Sequence, residues 1–381
     1  MEEAYRAALA CIPGMNILAL PRLIEMAGGP TTLWNIFENG GGRAAALVGS
    51  EKAAQFKEAS RSSHPGMVLK ELKRHGIRVM FPGGPDFPER LTSIYDPPAV
   101  LFMKGNQLPH QGMYVAVVGA RRASGYGKWV AETLAAQLAG LGIVVVSGAA
   151  YGVDACAHLG CLKASGFTAA VLGCGIDRIY PAEHEKLFQN IENSGCIVSE
   201  YPPGAEPLAW HFPHRNRIIA GLSHAVVVVE AAEKSGALIT ADMALEEGRE
   251  VLAVPGPINS FLSLGTNALI QKGAKLVRSI EDICDELPWD FSHAASTPPG
   301  LPGAQLAGIE LSILDLLRGG PRSLDWLSAR LERNPGELLP CLTEVSLKGW
   351  VGEEVGGKYR LLRDPEMPSR IKSNRSIKIQ Q

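Results

Sequence analysis

From residue 114 onward, short apolar runs alternate with segments of helical period, and this alternation sets the expected fold. Residues 115–118, 143–146, 168–172, 196–198, 225–229 and 251–254 are nearly unbroken apolar stretches of strand length. Between and after them, 128–139, 155–164, 182–193, 215–222, 237–247 and 266–272 carry apolar residues at helical spacing, and 275–277 is a candidate last strand. Strands this apolar, each followed by a crossover helix, predict an α/β fold with a Rossmann-like parallel sheet covered on both faces. Ligands of such sheets bind at the carboxyl ends of the strands, so function is expected in the strand-to-helix loops.

The flanks read differently. Residues 1–75 are short helical segments broken at Ile12-Pro13-Gly14, Gly28-Gly29-Pro30 and Gly40-Gly41-Gly42, predicting a small helical domain. Ile-Pro-Gly-Met fits either the hairpin of a helix-hairpin-helix or a plain interhelical turn. The extended core is expected over 76–287, followed by a linker over 288–307 carrying Pro288, Pro298, Pro299 and Pro302. Residues 308–363 show three helical segments and a hairpin, with Ser323 and Asn334 as N-caps, which is the outline of a winged helix. The tail, 364–381, has Arg370, Lys372, Arg375 and Lys378 and few large apolar residues, a composition that predicts disorder.

Composition narrows the function. The 381 residues carry 37 Lys+Arg against 39 Asp+Glu, so the whole molecule offers no field to attract a polyanion and any such site must be local. No apolar stretch approaches membrane-span length, and the acidic start Met-Glu-Glu-Ala-Tyr is unlike a signal peptide. Seven cysteines without a Cys-x-x-Cys pair are expected to be reduced thiols of a cytoplasmic protein. His211, His214 and His224 lack Cys or carboxylate companions and are read as hydrogen-bonded histidines, not zinc ligands.

The loop after the first strand, Gly119-Ala-Arg-Arg-Ala-Ser-Gly-Tyr-Gly127, has Arg121 and Ser124 where a dinucleotide turn needs glycine, and it lacks the Lys-Ser/Thr of a Walker loop. Neither a nicotinamide cofactor nor an ATPase is expected. The loop instead offers Arg121, Arg122 and Lys128 within an acid-free stretch, 97–131. A second acid-free stretch, 207–229, contains Arg215 and Arg217 at the expected start of a helix. Cations at a helix N-terminus oppose the macrodipole unless an anion sits there, and free N–H groups with guanidinium forks suit phosphate oxygens. One motif alone would fit surface arginines bridging to carboxylates equally well; two on one crevice rim favour phosphate. Ser147-Gly148 and Ser235-Gly236 each pair a hydroxyl with a bare amide, as an anion nest does. Phe212 is the expected stacking platform for a base, while Trp129, inside a helix, is expected in the core. Asp154 and His158 are spaced to act together, but Asp154 is read as an N-cap, and no catalytic constellation is evident.

With these residues in place, the chain resembles the DprA/Smf DNA-processing family. The likeness rests on Gly119-Ala-Arg with Tyr126-Gly127, Ser147-Gly-Ala-Ala-Tyr-Gly-Val-Asp154, Leu172-Gly-Cys-Gly-Ile-Asp177, Phe212-Pro-His-Arg-Asn-Arg217 and Ser235-Gly-Ala-Leu-Ile-Thr240, and spans about residues 80–278. The resemblance implies a non-enzymatic protein that binds single-stranded DNA, forms a homodimer and helps load the RecA recombinase during natural transformation. It implies phosphate contacts from Arg121 and the Arg215-Asn216-Arg217 turn and a base contact from Phe212. The expected DNA-binding set is therefore Gly119, Arg121, Arg122, Ser124, Gly125, Lys128, Ser147, Gly148, Phe212, Arg215, Asn216, Arg217, Ser235, Gly236 and Thr240. Tyr151 and Ala209 stand where the family often has basic residues. The alternative is a nucleotide phosphoribohydrolase of the related cytokinin-activating family, but aligning its Thr with Thr240 puts Met243 at the catalytic Glu position.

Overall fold

The computed structural model describes residues 2–288, 308–347, 350–354 and 357–361, and the chain divides into two compact units, 1–298 and 299–381. The expected Pro-rich linker beyond Pro288 and the expected basic tail lie outside the described residues.

The first unit begins with six helices, α1 (Glu2–Ala10), α2 (Leu20–Ala27), α3 (Pro30–Asn39), α4 (Gly42–Val48), α5 (Ser50–Ser62) and α6 (Pro65–Arg74). Pro30 and Pro65 open their helices, where a missing N–H leaves no bond unmade. Leu9, Leu20, Leu33, Phe37 and Phe56 are fully buried, and their cluster is continuous with Ala170 and Ile197 of the sheet.

Nine strands follow in the order β1-β2-β6-β5-β4-β3-β7-β8-β9. They are β1 (Arg78–Met80), β2 (Leu101–Gly105), β3 (Tyr114–Val118), β4 (Val144–Ser147), β5 (Thr168–Leu172), β6 (Cys196–Ser199), β7 (Ala225–Val228), β8 (Glu250–Ala253) and β9 (Lys275–Leu276). From β6 to β9 the sheet is parallel; β1 and β2 add an antiparallel edge that the apolar pattern did not disclose. Strands β3 to β7 are buried along their whole length because both faces are covered. Val115 and Val117 pack with α7 (Gly125–Gly140), α8 (Val153–Lys163) and α13 (Ile280–Cys284). Ala116 and Val118 pack with α10 (His211–Leu222), α11 (Gly236–Glu246) and α12 (Leu264–Gln271), and α9 (Glu185–Ser194) joins the N-terminal cluster.

Two details matter for the site. Strand order runs down from β6 to β3 and then jumps to β7, so the topological switch point lies between β3 and β7. Helix α10 starts at His211, not at Arg215 as the spacing suggested. Pro213 is accommodated because the first turn needs no intrahelical N–H bond, which moves Arg215 and Arg217 into the second turn and onto buried faces.

In the second unit, α14 (Gly308–Arg318), α15 (Leu324–Leu331) and α16 (Pro335–Leu347) accompany a small sheet of order β10-β12-β11. Its strands are β10 (Arg322–Ser323), β11 (Val351–Glu354) and β12 (Lys358–Leu361). Ser323 caps α15, accepting from Trp326 N at 3.3 Å, and Ile313, Leu314, Leu327, Leu338 and Leu342 fill the core. Among the described residues, no helix is long and apolar enough to cross a membrane.

Candidate nucleic-acid interface

The turn from β3 into α7 holds an anion, but one of the chain's own. Ser124 is the N-cap, its Oγ accepting from Gly127 N at 3.0 Å. Glu230, just past β7, accepts from Ser124 Oγ at 2.5 Å and from Ser124 N at 2.9 Å, so a buried carboxylate lies at the positive end of α7. A Cβ on Gly127 would stand 2.2 Å from Glu230 Oε2, which is why that position must be glycine. The expectation of a DNA phosphate at Ser124 is therefore corrected: Glu230 fills the place. Gly125, Arg122 and Lys128 are exposed and lie outside the cleft described next. Trp129, expected in the core, is 54% exposed, because the buried side of α7 is filled by Val130, Ala131 and Leu134.

At the switch point the turn into α11 is open. Ser235 caps the helix, accepting from Ala237 N at 3.3 Å, and nothing lies within 4 Å of where a Cβ on Gly236 would be. Asn216 Nδ2 donates to Gly236 O at 3.3 Å, and Thr240 Oγ1 donates to the same oxygen at 3.5 Å, holding the turn in place. Gly119, Arg121, Phe212, Arg215, Asn216, Ser235, Gly236 and Thr240 together line a cleft of about 310 Å³. Arg121 and Phe212 also line an adjoining recess of about 80 Å³ with Gly148, Tyr151 and Tyr180. The Phe212 ring lies 5.4 Å from the Arg121 Cζ, 5.9 Å from the Arg215 Cζ and 5.4 Å from the Tyr180 ring centroid.

The two arginines of the Arg-Asn-Arg turn part ways. Arg215 Nη1 donates to Gly148 O at 2.8 Å and to Val171 O, and its Nε donates to Asn216 Oδ1 at 3.2 Å. Burial lowers its pKa to about 10; Asp154 opposes the shift and Arg121 adds to it, so the group stays charged at neutral pH. Among the described residues no carboxylate comes within ion-pairing distance of Arg121 or Arg215. Arg217, by contrast, donates from Nη2 to both Glu200 oxygens at 2.8 and 3.0 Å and from Nε to Asp96 at 3.2 Å. Burial works against its charge, but Glu200 and Asp96 outweigh it and raise the pKa. The expected phosphate contact from Arg217 is thus corrected to an internal ion pair.

Ser147 is corrected too: it is fully buried and donates to Val117 O at 2.7 Å. Gly148 serves by having no side chain, since a Cβ there would meet Arg215 Nη2 at 2.6 Å and Asp154 Oδ2 at 2.7 Å. Asp154 is not the N-cap of α8; Gly152 is, and Asp154 lies within the first turn, buried beside Arg215. Burial raises its pKa, against the pull of Arg215. Ala149 adopts φ 53°, a left-handed backbone that costs an alanine on the order of 1 kcal/mol, between Gly148 and Ala150, which both line the recess.

A family model described as DNA recombination-mediator protein A matches residues 78–288, more than half the chain. The chain belongs to that family. A model of the DprA winged helix domain matches residues 297–357. Over 240 residues the chain is 44% identical to the DNA processing protein DprA of Bacillus subtilis (strain 168), covering 62% of this chain and 81% of that one. It is 38% identical to Protein Smf of Escherichia coli (strain K12) over 282 residues, covering 73% and 75%. The X-ray structure of DNA processing protein A from Streptococcus pneumoniae superposes with a TM-score of 0.64 at 36% identity, over 76% of this chain and 98% of that one. The Helicobacter pylori protein, described for its mode of single-stranded DNA binding, gives 0.50 at 33% identity over 55% and 94%. Membership of the DprA family makes this chain a DNA-processing, recombination-mediating protein.

Sequence reasoning missed that Glu200 and Asp96 engage Arg217 and that Glu230 fills the turn at Ser124. One signal was present: the acid-free stretch 207–229 ends at Glu230 itself.

Proposed function

We propose that this DprA-family chain binds single-stranded DNA in the switch-point cleft, protects incoming strands and helps load the RecA recombinase in natural transformation or homologous recombination. It acts as a cytoplasmic homodimer and without catalysis of its own. One observation carries the reading: two guanidiniums with no ion-paired carboxylate flank a half-buried phenyl ring at 5.4 and 5.9 Å, beside an unfilled helix N-terminus. Phosphates fit the guanidiniums and the Ser235-Gly236 amides, and a base fits Phe212. The family relationship and the single-stranded DNA binding described for the H. pylori relative support it. The winged helix, with 8 basic and 8 acidic residues over 308–363, is less basic than a major-groove reader should be and suits a protein partner.

The test is oligonucleotide binding against salt for the wild type, Arg121→Ala and Phe212→Ala. Wild type should show a log-log slope of about −0.7 per neutralised phosphate. Arg121→Ala should bind more weakly with a shallower slope, and Phe212→Ala more weakly at an unchanged slope. Equal binding by all three at low salt would overturn the reading, and release of free base from a nucleoside monophosphate would point to the hydrolase instead.

A further inference from the structure

Resting on that reading, we infer that the exposed face of α7 is a second base-stacking subsite, formed by Trp129 and Tyr126, which receives the strand as it leaves the cleft. At about 100° per residue, Lys128, Trp129 and Tyr126 follow one another around the outward arc of the helix. Trp129 is 54% and Tyr126 47% exposed, with ring centroids 6.5 Å apart and planes tilted by 35°. The core does not need these rings, since aliphatic residues fill the opposite side of the helix.

The surroundings select the occupant. Arg122 and Lys128, expected DNA-binding cations that lie outside the cleft, are both exposed; Lys128 adjoins Trp129 in the helix, and Arg122 directly follows Arg121 of the cleft. The acids nearest in the helix and turn are already engaged: Glu132 pairs with Lys163 at 2.5 Å, and Glu230 is buried against Ser124. An apolar protein surface would have to desolvate those cations unpaired, whereas a single strand neutralises them with phosphate and offers a base to each ring. The continuous stretch from Arg121 to Trp129 makes the patch an extension of the cleft, not a separate site.

The experiment measures affinity of the full chain for oligothymidylates of increasing length, for the wild type, Trp129→Ala, Trp129→Phe, Arg121→Ala and Phe212→Ala. Short strands that fill only the cleft should bind Trp129→Ala as tightly as wild type. Longer strands should bind it about fivefold more weakly or worse, the lower bound of what a stacking ring contributes. Trp129→Phe should recover most of the loss. Photo-crosslinking of the unmodified chain with 5-iodouridine oligonucleotides should label the peptide containing Tyr126 and Trp129. Trp129→Ala binding like wild type at every length, or no crosslink in that peptide, overturns the subsite. If Arg121→Ala and Phe212→Ala lose affinity at the same time, the cleft stands and only the extension falls; if they also bind like wild type, both fall.

Discussion

The turns entering α7 and α11 follow adjacent parallel strands, β3 and β7, and start from the same local chemistry: Ser124-Gly125 in one, Ser235-Gly236 in the other, with arginines nearby. In the first, Glu230 supplies the negative charge from inside the fold, and the site is closed and satisfied. In the second no carboxylate plugs the helix; the exposed Arg121 and the buried Arg215 both line the cleft there. The same division runs along α10, where Arg217 is ion-paired with Glu200 and Asp96 while Arg215, two residues earlier, donates its hydrogen bonds to neutral acceptors and has the buried Asp154 nearby without a direct ion pair. A helix N-terminus or an arginine near a crevice is thus anion-ready in general. What makes it available is the absence of an internal acid, and that is a tertiary fact.

The strongest way to break this comparison is to remove an internal acid. Glu200→Ala leaves Arg217 buried beside a cavity with only the half-exposed Asp96, and should cost about 3–5 kcal/mol in urea unfolding. Arg121→Ala, on the open side, should change stability by less than about 0.5 kcal/mol while weakening DNA binding. If Glu200→Ala were as stable as wild type, the division between structural and available arginines would be wrong. Next comes Gly127→Ala. Its methyl group collides with Glu230 Oε2, and the carboxylate cannot swing aside without giving up both bonds to Ser124, so a loss of about 1–3 kcal/mol is expected.

Much of this was legible in the sequence because the parallel strands are short, wholly buried and therefore apolar end to end, a pattern that only a doubly covered sheet explains. The edge strands were not, since β1 has three residues and β2 ends in Lys104-Gly105, too little for a period to show. Eight of the expected residues do line one cleft, because glycines, serines and arginines at strand ends are local signals. Arg217, Ser124 and Ser147 went astray because their partners, Glu200, Glu230 and Val117, are distant in sequence. Trp129 went astray because α7 fills its buried side with small aliphatic residues and leaves the indole outside.

Acid should act on a buried histidine one helical turn from Asp154, which lines the open site. His158 is fully buried on α8; its Nδ1 lies 2.7 Å from Thr168 Oγ1, which itself donates to Val145 O, so Nδ1 carries the proton and Nε2 has no partner. Burial, with His184 and Arg215 adding to it, lowers the pKa to about 3. Between the unfolded value of about 6.5 and that pKa, the unfolded chain binds a proton that the native chain refuses. Stability should therefore fall with falling pH, by about 2 kcal/mol at pH 5 relative to neutral from this residue. Urea unfolding of His158→Gln at pH 7 and pH 5 should show a smaller difference than wild type; an identical difference would remove His158 from the account.

The finest distinction between the two turns is Gly236→Ala. The added methyl meets open space, in contrast to Gly127→Ala, so stability should stay within about 0.5 kcal/mol of wild type. The same methyl group would stand beside the amides that a phosphate must approach, so DNA affinity should fall by roughly one hydrogen bond, about 1 kcal/mol. A variant that is stable and still binds DNA like wild type would mean that the α11 turn does not seat a phosphate. In that case the opening at Gly236 would carry no function, and Arg121, Arg215 and Phe212 would have to hold the strand alone.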